Sequence, residues 1–190
     1  MPTKMPQTKG EKRKADVLRV ARVHLIERGY DAFSMREVAA ELETKIGHIQ
    51  YYFPTKHDLF EALVRDEFRA NLEAIDAIVA RSGPSSSTLE EVARKLVALW
   101  VTEGARVYAV MPFLALHNDR FVALNGEVYA QFRVVIGQLL LAALPKLSAA
   151  KAHMKARLIT ALMDGALLQL DGSKAFIDEI VRATLLIAND

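Results

Sequence analysis

The stretch Lys45–Phe60, KIGHIQYYFPTKHDLF, decides how the rest of the chain is read. Two adjacent tyrosines, Phe53, two histidines and two lysines surround one proline, too polar a mixture for a core helix and too aromatic for an ordinary loop. On a helix, Lys45, His48 and Tyr51 recur at i, i+3 and i+6 and share an outward face, while Ile49 and Phe53 share an inward one. Tyr51 and Tyr52 are neighbours and cannot point the same way, so at least one is expected to be exposed. Pro54 lacks an N–H and disfavours helical geometry at Phe53, which ends the helix. Thr55, with Asp58 three residues on, then caps the start of the next one.

Upstream, Val17, Leu18, Ala21, Leu25 and Ile26 recur at helical spacing and predict a first helix over Glu11–Arg28. Gly29 follows where a left-handed residue closes a helix, and Tyr30 and Phe33 are expected to pack back onto its apolar stripe. Ser34 with Glu37 reads as a capping box opening a second helix, whose inward face is Val38, Ala39 and Leu42. A break near Glu43–Thr44 separates it from the third. Short helices split by a tight turn are the arrangement of a helix-turn-helix, whose second member lies in the major groove of DNA. Gly47 would let the backbone approach closely, and Lys56 would offer its ammonium and a helix N-terminus to a phosphate. The charge agrees in sign: residues 1–56 hold 11 Lys and Arg against 7 Asp and Glu, whereas residues 57–190 hold 14 against 16.

GHIQYYFPTKHDLF resembles the signature of TetR-family transcriptional regulators: a Gly, two variable residues, a Tyr-rich run, Phe, Pro, Thr-Lys and an apolar helix. FSMREVAAEL and ADVLRVARVHLIERGY are similar to the family's second and first helices, so the resemblance covers about residues 11–65. It implies DNA contact at Arg36, Lys45, Ile46, Gly47, His48, Gln50, Tyr51, Tyr52 and Lys56, with Gln50, Tyr52 and Lys56 at phosphate positions and Lys45–His48 at base edges. The chain departs from the pattern in three places. Glu43-Thr44-Lys45 replaces the usual Gly-Val-Ser of the turn. Gln50 replaces a Tyr and is suited either to an adenine or to a phosphate. Ile46 replaces a polar residue, and either lips the core by its spacing with Ile49 and Phe53 or meets a thymine methyl. Glu43 is expected to point away from DNA or to pair with a nearby Lys or Arg. The basic run KGEKRK, Lys9–Lys14, reads either as an arm toward phosphates and the minor groove or as a solvated helix start.

Downstream, a long fourth helix runs through Leu59, Phe60, Leu63, Val64, Phe68, Leu72, Ile75 and Val79 to the linker SGPSSS at Ser82–Ser87. Thr88 and Glu91 read as a capping box for a helix carrying Val92, Leu96, Leu99 and Trp100. Gly104, Pro112, Asn118–Asp119, Pro145 and Gly172 punctuate the rest, with Pro112 either kinking a helix or dividing two and opening space beside it. The last two helices are expected at about Ser148–Leu170 and Ser173–Ala188. No alternating strand appears. The expectation is an all-α fold of about nine helices: an arm and three-helix DNA-binding domain over 1–55, and a helical body over 56–190, with helix four connecting them.

The resemblance implies that this body binds a small-molecule effector and dimerises. Trp100, Tyr108, Met111, Phe113, Phe121, Tyr129, Phe132 and Met163 supply aromatic and flexible apolar surface for a pocket, with Arg106, His117 and Asp164 as polar anchors. The last two helices are apolar nearly all round and must bury two sides. The family pairs these helices into a four-helix bundle, which nominates Leu158, Leu162, Gly165, Ala166, Ile177, Ile180, Val181 and Thr184. The expected partners are therefore an operator duplex, a second copy and an unidentified small molecule.

Other chemistries find little in the sequence. The five histidines are scattered without metal-binding spacing, no Gly-rich phosphate loop or G-x-S-x-G occurs, and there is no cysteine. No enzyme activity, metal or cofactor is expected. The apolar run Val134–Leu144 is about half the ~20 residues of a membrane span, and the N-terminus has no signal-peptide pattern. A cytoplasmic regulator is the expectation, with repression resting on the family default. The alternative is an architectural or constitutive DNA-binding dimer with no effector.

Overall fold

The structure is a computed structural model that describes residues 8–99, 105–169 and 171–190, less the side chains of Ala105 and Arg106. Trp100 and the Arg106 side chain, both nominated for the pocket, lie outside the described residues. Among those described there are nine α-helices and no strand: α1 Lys9–Ala32, α2 Met35–Glu41, α3 Ile46–Tyr52, α4 Lys56–Ser82, α5 Ser86–Leu99, α6 Ala105–Ala115, α7 Asp119–Ala143, α8 Ala149–Gln169 and α9 Lys174–Asn189. The chain divides into two compact units, Met1–Asp66 and Glu67–Asp190.

In the first unit, Thr8 and Glu11 form a reciprocal capping box, so α1 starts two residues before its expected place. The basic run Lys9–Lys14 is therefore the opening of a solvated helix. Gly29 takes φ 75° and ψ 171°, a conformation closed to residues with a Cβ, and regular helix geometry stops there. The core joins Val17, Ala21 and Leu25 of α1 to Val38 of α2, Ile49 of α3 and Leu59, Phe60 and Leu63 of α4. Phe33 is buried, and Tyr30 meets Phe60 of α4 edge-on at 5.1 Å.

The Ser34 cap differs from expectation. Its hydroxyl accepts from the Arg36 N–H, and Glu37 pairs with Arg28 at 2.8 Å instead of reaching back. Buried His24 meets the Glu41 carboxylate at 2.6 Å, a second tie between α1 and α2. After α2 the Thr44 N–H donates to the Ala39 carbonyl (2.9 Å) and the Glu43 N–H to that of Ala40 (3.0 Å). This paired closure wants a left-handed residue between helix and exit. Glu43 supplies it with φ 49° despite its Cβ.

The second unit is a helical bundle in which α7 packs on α6 and α8, while α9 packs on α5 and α8. The expected Thr88–Glu91 capping box is absent. Ser85 caps α5 instead, its hydroxyl accepting from the Thr88 N–H at 3.1 Å. Thr88 is buried and donates its hydroxyl to the Gly83 carbonyl (2.5 Å), while Glu91 pairs with Arg81. The serine-rich linker offered several possible caps, and burial of Thr88 decided among them. Pro112 neither divides nor ends α6; it sits inside the helix and has no N–H to give the Tyr108 carbonyl. Lys155 is 7% exposed and donates to the Ile187 carbonyl (2.6 Å) at the end of α9. No helix among the described residues is long and apolar enough to cross a membrane.

Candidate nucleic-acid interface and body cavity

Helix α3 carries its residues on two faces. Ile49 is 1% exposed and Phe53 closes the helix at 6%, so both anchor it to the first unit's core. Lys45, Gly47, His48 and Gln50 are exposed, Tyr51 is 81% exposed, and Arg36 on α2 is exposed as well. Ile46 and Tyr52 are intermediate. The two tyrosines divide as the geometry of adjacent residues requires: Tyr51 projects, and Tyr52 lies edge-on to it at 5.0 Å with the Lys14 ammonium 5.8 Å over its ring. A Cβ added at Gly47 would meet nothing within 4 Å, and Gly47 is not in the left-handed region. The unit itself has no need of glycine there.

His48 is held by a residue that the sequence pattern did not single out. Arg13 donates to the Thr44 hydroxyl at 3.1 Å, and that hydroxyl lies 2.9 Å from His48 Nδ1. The two contacts hold the imidazole through Nδ1 and leave Nε2 as its outward atom. The arrangement presents the second ring nitrogen on the same face as Lys45 and Tyr51. Only the unusual Thr in the turn hinted at it.

Lys56 has a different task from the phosphate contact expected of it. Its ammonium donates to the carbonyls of Tyr30 (2.6 Å) and Asp31 (3.4 Å) and lies 4.3 Å over the Tyr30 ring. Burial pulls its pKa below the usual lysine range. The ammonium thus closes the end of α1 against the start of α4, where unpaired helix carbonyls favour a cation. Thr55 and Asp58 form the expected reciprocal cap beside it.

A cavity of about 110 Å³ lies within the second unit. Its walls are Phe68 of α4, Tyr108, Ala109, Met111 and Pro112 of α6, Val128, Tyr129 and Phe132 of α7, and Asp164, Leu167 and Leu168 of α8. Of the residues nominated for a pocket, Tyr108, Met111, Tyr129, Phe132 and Asp164 line it. Phe121 and Met163 are buried in the core away from its lining, and Phe113 and His117 are exposed and meet edge-on at 6.1 Å. The Tyr108 oxygen accepts from Asn71 (2.9 Å), and Tyr129 donates to Asp164 (2.9 Å). Burial raises the pKa of both tyrosines and pushes that of Asp164 up to about 6. Asn71 was missed, although its place in the apolar row Val64, Phe68, Asn71, Ile75 marks a polar side chain turned inward.

The nominated dimer residues separate by burial. Ala166, Ile180, Val181 and Thr184 fill the chain's own core, the last donating its hydroxyl to the Ile180 carbonyl, so they are not available to a partner. Leu158 and Gly165 are exposed, and Leu162 and Ile177 are intermediate. Exposed residues on α8 instead form the row Met154, Leu158, Ala161, Gly165, Leu168, spaced four and three. All-round apolarity hid this, because the sequence alone does not say which side faces home.

A family model described as "Bacterial regulatory proteins, tetR family" matches residues 17–63, the span from α1 into α4. No curated protein matches the chain. Among solved structures, a transcriptional regulator from Pseudomonas aeruginosa PAO1 has a TM-score of 0.77 at 15% identity, covering 96% of this chain and 91% of its own. A TetR-family regulator from Mesorhizobium loti gives 0.74 at 17% identity, with 96% of each chain covered. A regulator from Saccharomonospora viridis in complex with choline gives 0.72 at 19% identity, covering 91% and 93%. At such identities the likeness speaks for the fold, and the family match speaks for the helix-turn-helix. Together they give residues 17–63 the helix-turn-helix of bacterial regulators of the tetR family, and the chain as a whole the fold of such transcriptional regulators.

Proposed function

We propose that the chain is an effector-responsive repressor that binds a palindromic operator as a homodimer. The observation that carries the DNA part is the exposed face Lys45–His48–Tyr51 on α3, with Gly47 open between them and no structural reason for its glycine. Lys45 and Tyr51 would hold phosphates, while His48 Nε2 would meet a base edge in the major groove. Ile46 and Gln50 flank this face; Arg36 and Tyr52 would meet the backbone at its edges. Lys56 acts through the fold.

The second copy would dock on the exposed α8 row, since contiguous apolar residues at coiled-coil spacing mark an interaction surface. Two-fold pairing would present two α3 helices to the two halves of a palindrome. The body cavity would hold the effector, a reading supported by the choline complex of the Saccharomonospora viridis regulator. Leu168 belongs to both the cavity wall and the α8 row, so occupancy and pairing share a side chain. A ligand that prefers the arrangement with mis-spaced α3 helices would lower operator affinity by its differential binding.

Selection of bound duplexes from a random pool tests the reading. Enrichment of a palindrome is expected, and Gly47→Ala should weaken its binding about tenfold or more by crowding the DNA while leaving the melting temperature unchanged or higher. Unchanged affinity in Gly47→Ala would remove α3 as the reading element. A ligand library screened for operator release, with Ala109→Trp filling the cavity, tests the effector. Release that survives the filled cavity, or no release at all, leaves the architectural alternative.

A further inference from the structure

Among the described residues the cavity is lined by one carboxylate and by no Lys, Arg or His, and four of these wall residues are aromatic. Asp164 accepts a hydrogen bond from Tyr129 and forms no ion pair with any described residue; Arg133 on α7 acts on it only through its field. We propose that this cavity takes a small organic cation, a protonated amine or quaternary ammonium on an apolar body, with Asp164 as counter-charge and the Tyr108, Tyr129 and Phe132 rings as walls. The inference rests on the reading of the cavity as the effector site and names the class of ligand.

Three ligand charges can be compared against the same walls. An anion would meet Asp164 with no compensating cation in the lining. A neutral apolar ligand would seal the carboxylate away from water without a partner, which is costly. A cation meets the carboxylate and the negative faces of the aromatic rings, so each wall contributes attraction. The raised pKa of Asp164 agrees, because burial disfavours its charged form while the cavity is empty and a bound cation would reverse that. Size sets the second limit: about 110 Å³ is below the ~150 Å³ that admits benzene, so the enclosed part of the occupant is an ammonium head or branched body smaller than a six-membered ring. Exposed Pro112 and Leu168 form the rim through which any tail would leave.

tert-Butylammonium, tert-butanol and pivalate share a body smaller than benzene and differ in charge. Calorimetric titration of the full chain should show the ammonium binding at least about tenfold more tightly than the alcohol, with the carboxylate weakest. Asp164→Asn keeps the shape and an acceptor for Tyr129, and should abolish that preference while tert-butanol binds as tightly as before or more tightly, since no carboxylate is left to be sealed from water. The ammonium should also bind more weakly as pH falls through about 6, where Asp164 takes up its proton under the influence of Tyr129 and Arg133. Tighter binding of the alcohol, or an ammonium preference that survives Asp164→Asn, overturns the cationic class but leaves a working effector cavity. Binding of none of the three overturns the proposal, and the cavity reading then stands or falls on the library screen and the Ala109→Trp variant.

Discussion

Tyr51 and Tyr129 both carry a phenol on a face nominated for binding, yet one is 81% exposed on α3 and the other is sunk against Asp164 in the body. On α3 the groups offered to DNA are solvated, and their supports lie close by: Ile49 and Phe53 inward, Thr44 beside His48. In the cavity the polar groups come from four helices, Asn71 of α4, Tyr108 of α6, Tyr129 of α7 and Asp164 of α8, and each is at least partly withdrawn from water. The difference teaches where function and stability can be separated. Substitutions on the α3 face should change binding while sparing the fold, whereas those at Asp164 should change both.

Lys56 is the exception that sharpens the contrast. It stands in a DNA-contact position by family pattern, but its ammonium is committed to the Tyr30 and Asp31 carbonyls. Hydrogen bonds to a charged group contribute about 1.5–3 kcal/mol, so Lys56→Met should cost about 2 kcal/mol of stability, read from urea midpoints. The salt slope of operator binding should be unchanged once the folded fraction is corrected for. A slope smaller by about one, with stability intact, would return Lys56 to a phosphate and dissolve the exception.

The body offers the reverse test through pH. Asp164 carries a folded pKa of about 6 against an ordinary 3.8, raised by burial. The folded chain therefore holds this proton more tightly than the unfolded chain does. The stability it contributes is fully present below the unfolded pKa and is lost as pH rises through the folded one. Above that window the buried carboxylate is a liability of about 1–2 kcal/mol after allowance for its partial exposure. Asp164→Asn should thus match the parent near pH 4 and exceed it near pH 8. Equal pH profiles would show Asp164 to be as solvated as the α3 face, and the contrast would break.

These two regions were not equally legible in the sequence. The helix-turn-helix could be read because its signals are short-range: Gly29 ends α1, Thr55 and Asp58 cap α4, and the i, i+4 spacing of Ile49 and Phe53 sets the inward face. Even there, Glu37 left its expected cap for Arg28, since a tertiary ion pair competes with a local hydrogen bond and sequence spacing carries no sign of it. The cavity was legible only in outline. Tyr108, Tyr129 and Phe132 were among the aromatics named, but so were Phe121 and Phe113, which went to the core and to the surface. Which ring meets which depends on packing among helices far apart in the chain, and periodicity within one helix is silent on it. The same limit assigned Ile180, Val181 and Thr184 to a partner when their own bundle buries them.

The smallest effect compares the turns at which the two regions change direction. Leaving α2, Glu43 occupies the left-handed region at φ 49°, while the exit from α4 uses Gly83 at φ 66°. A residue with a Cβ costs about 1–2 kcal/mol in that region, and glycine gives part of this back through the greater freedom of the unfolded chain. Glu43→Gly should therefore stabilise the protein by about 0.5–1 kcal/mol, whereas Glu43→Ala, which keeps the Cβ, should not. The glutamate is exposed, so little packing is lost in either variant. The gain should come with an unchanged operator sequence preference, because the Thr44 N–H and hydroxyl that set His48 are untouched. If Glu43→Gly instead relaxes the preference, the strained turn helps to hold α3 in register, and the head is less separable into binding and folding than its exposed face suggests.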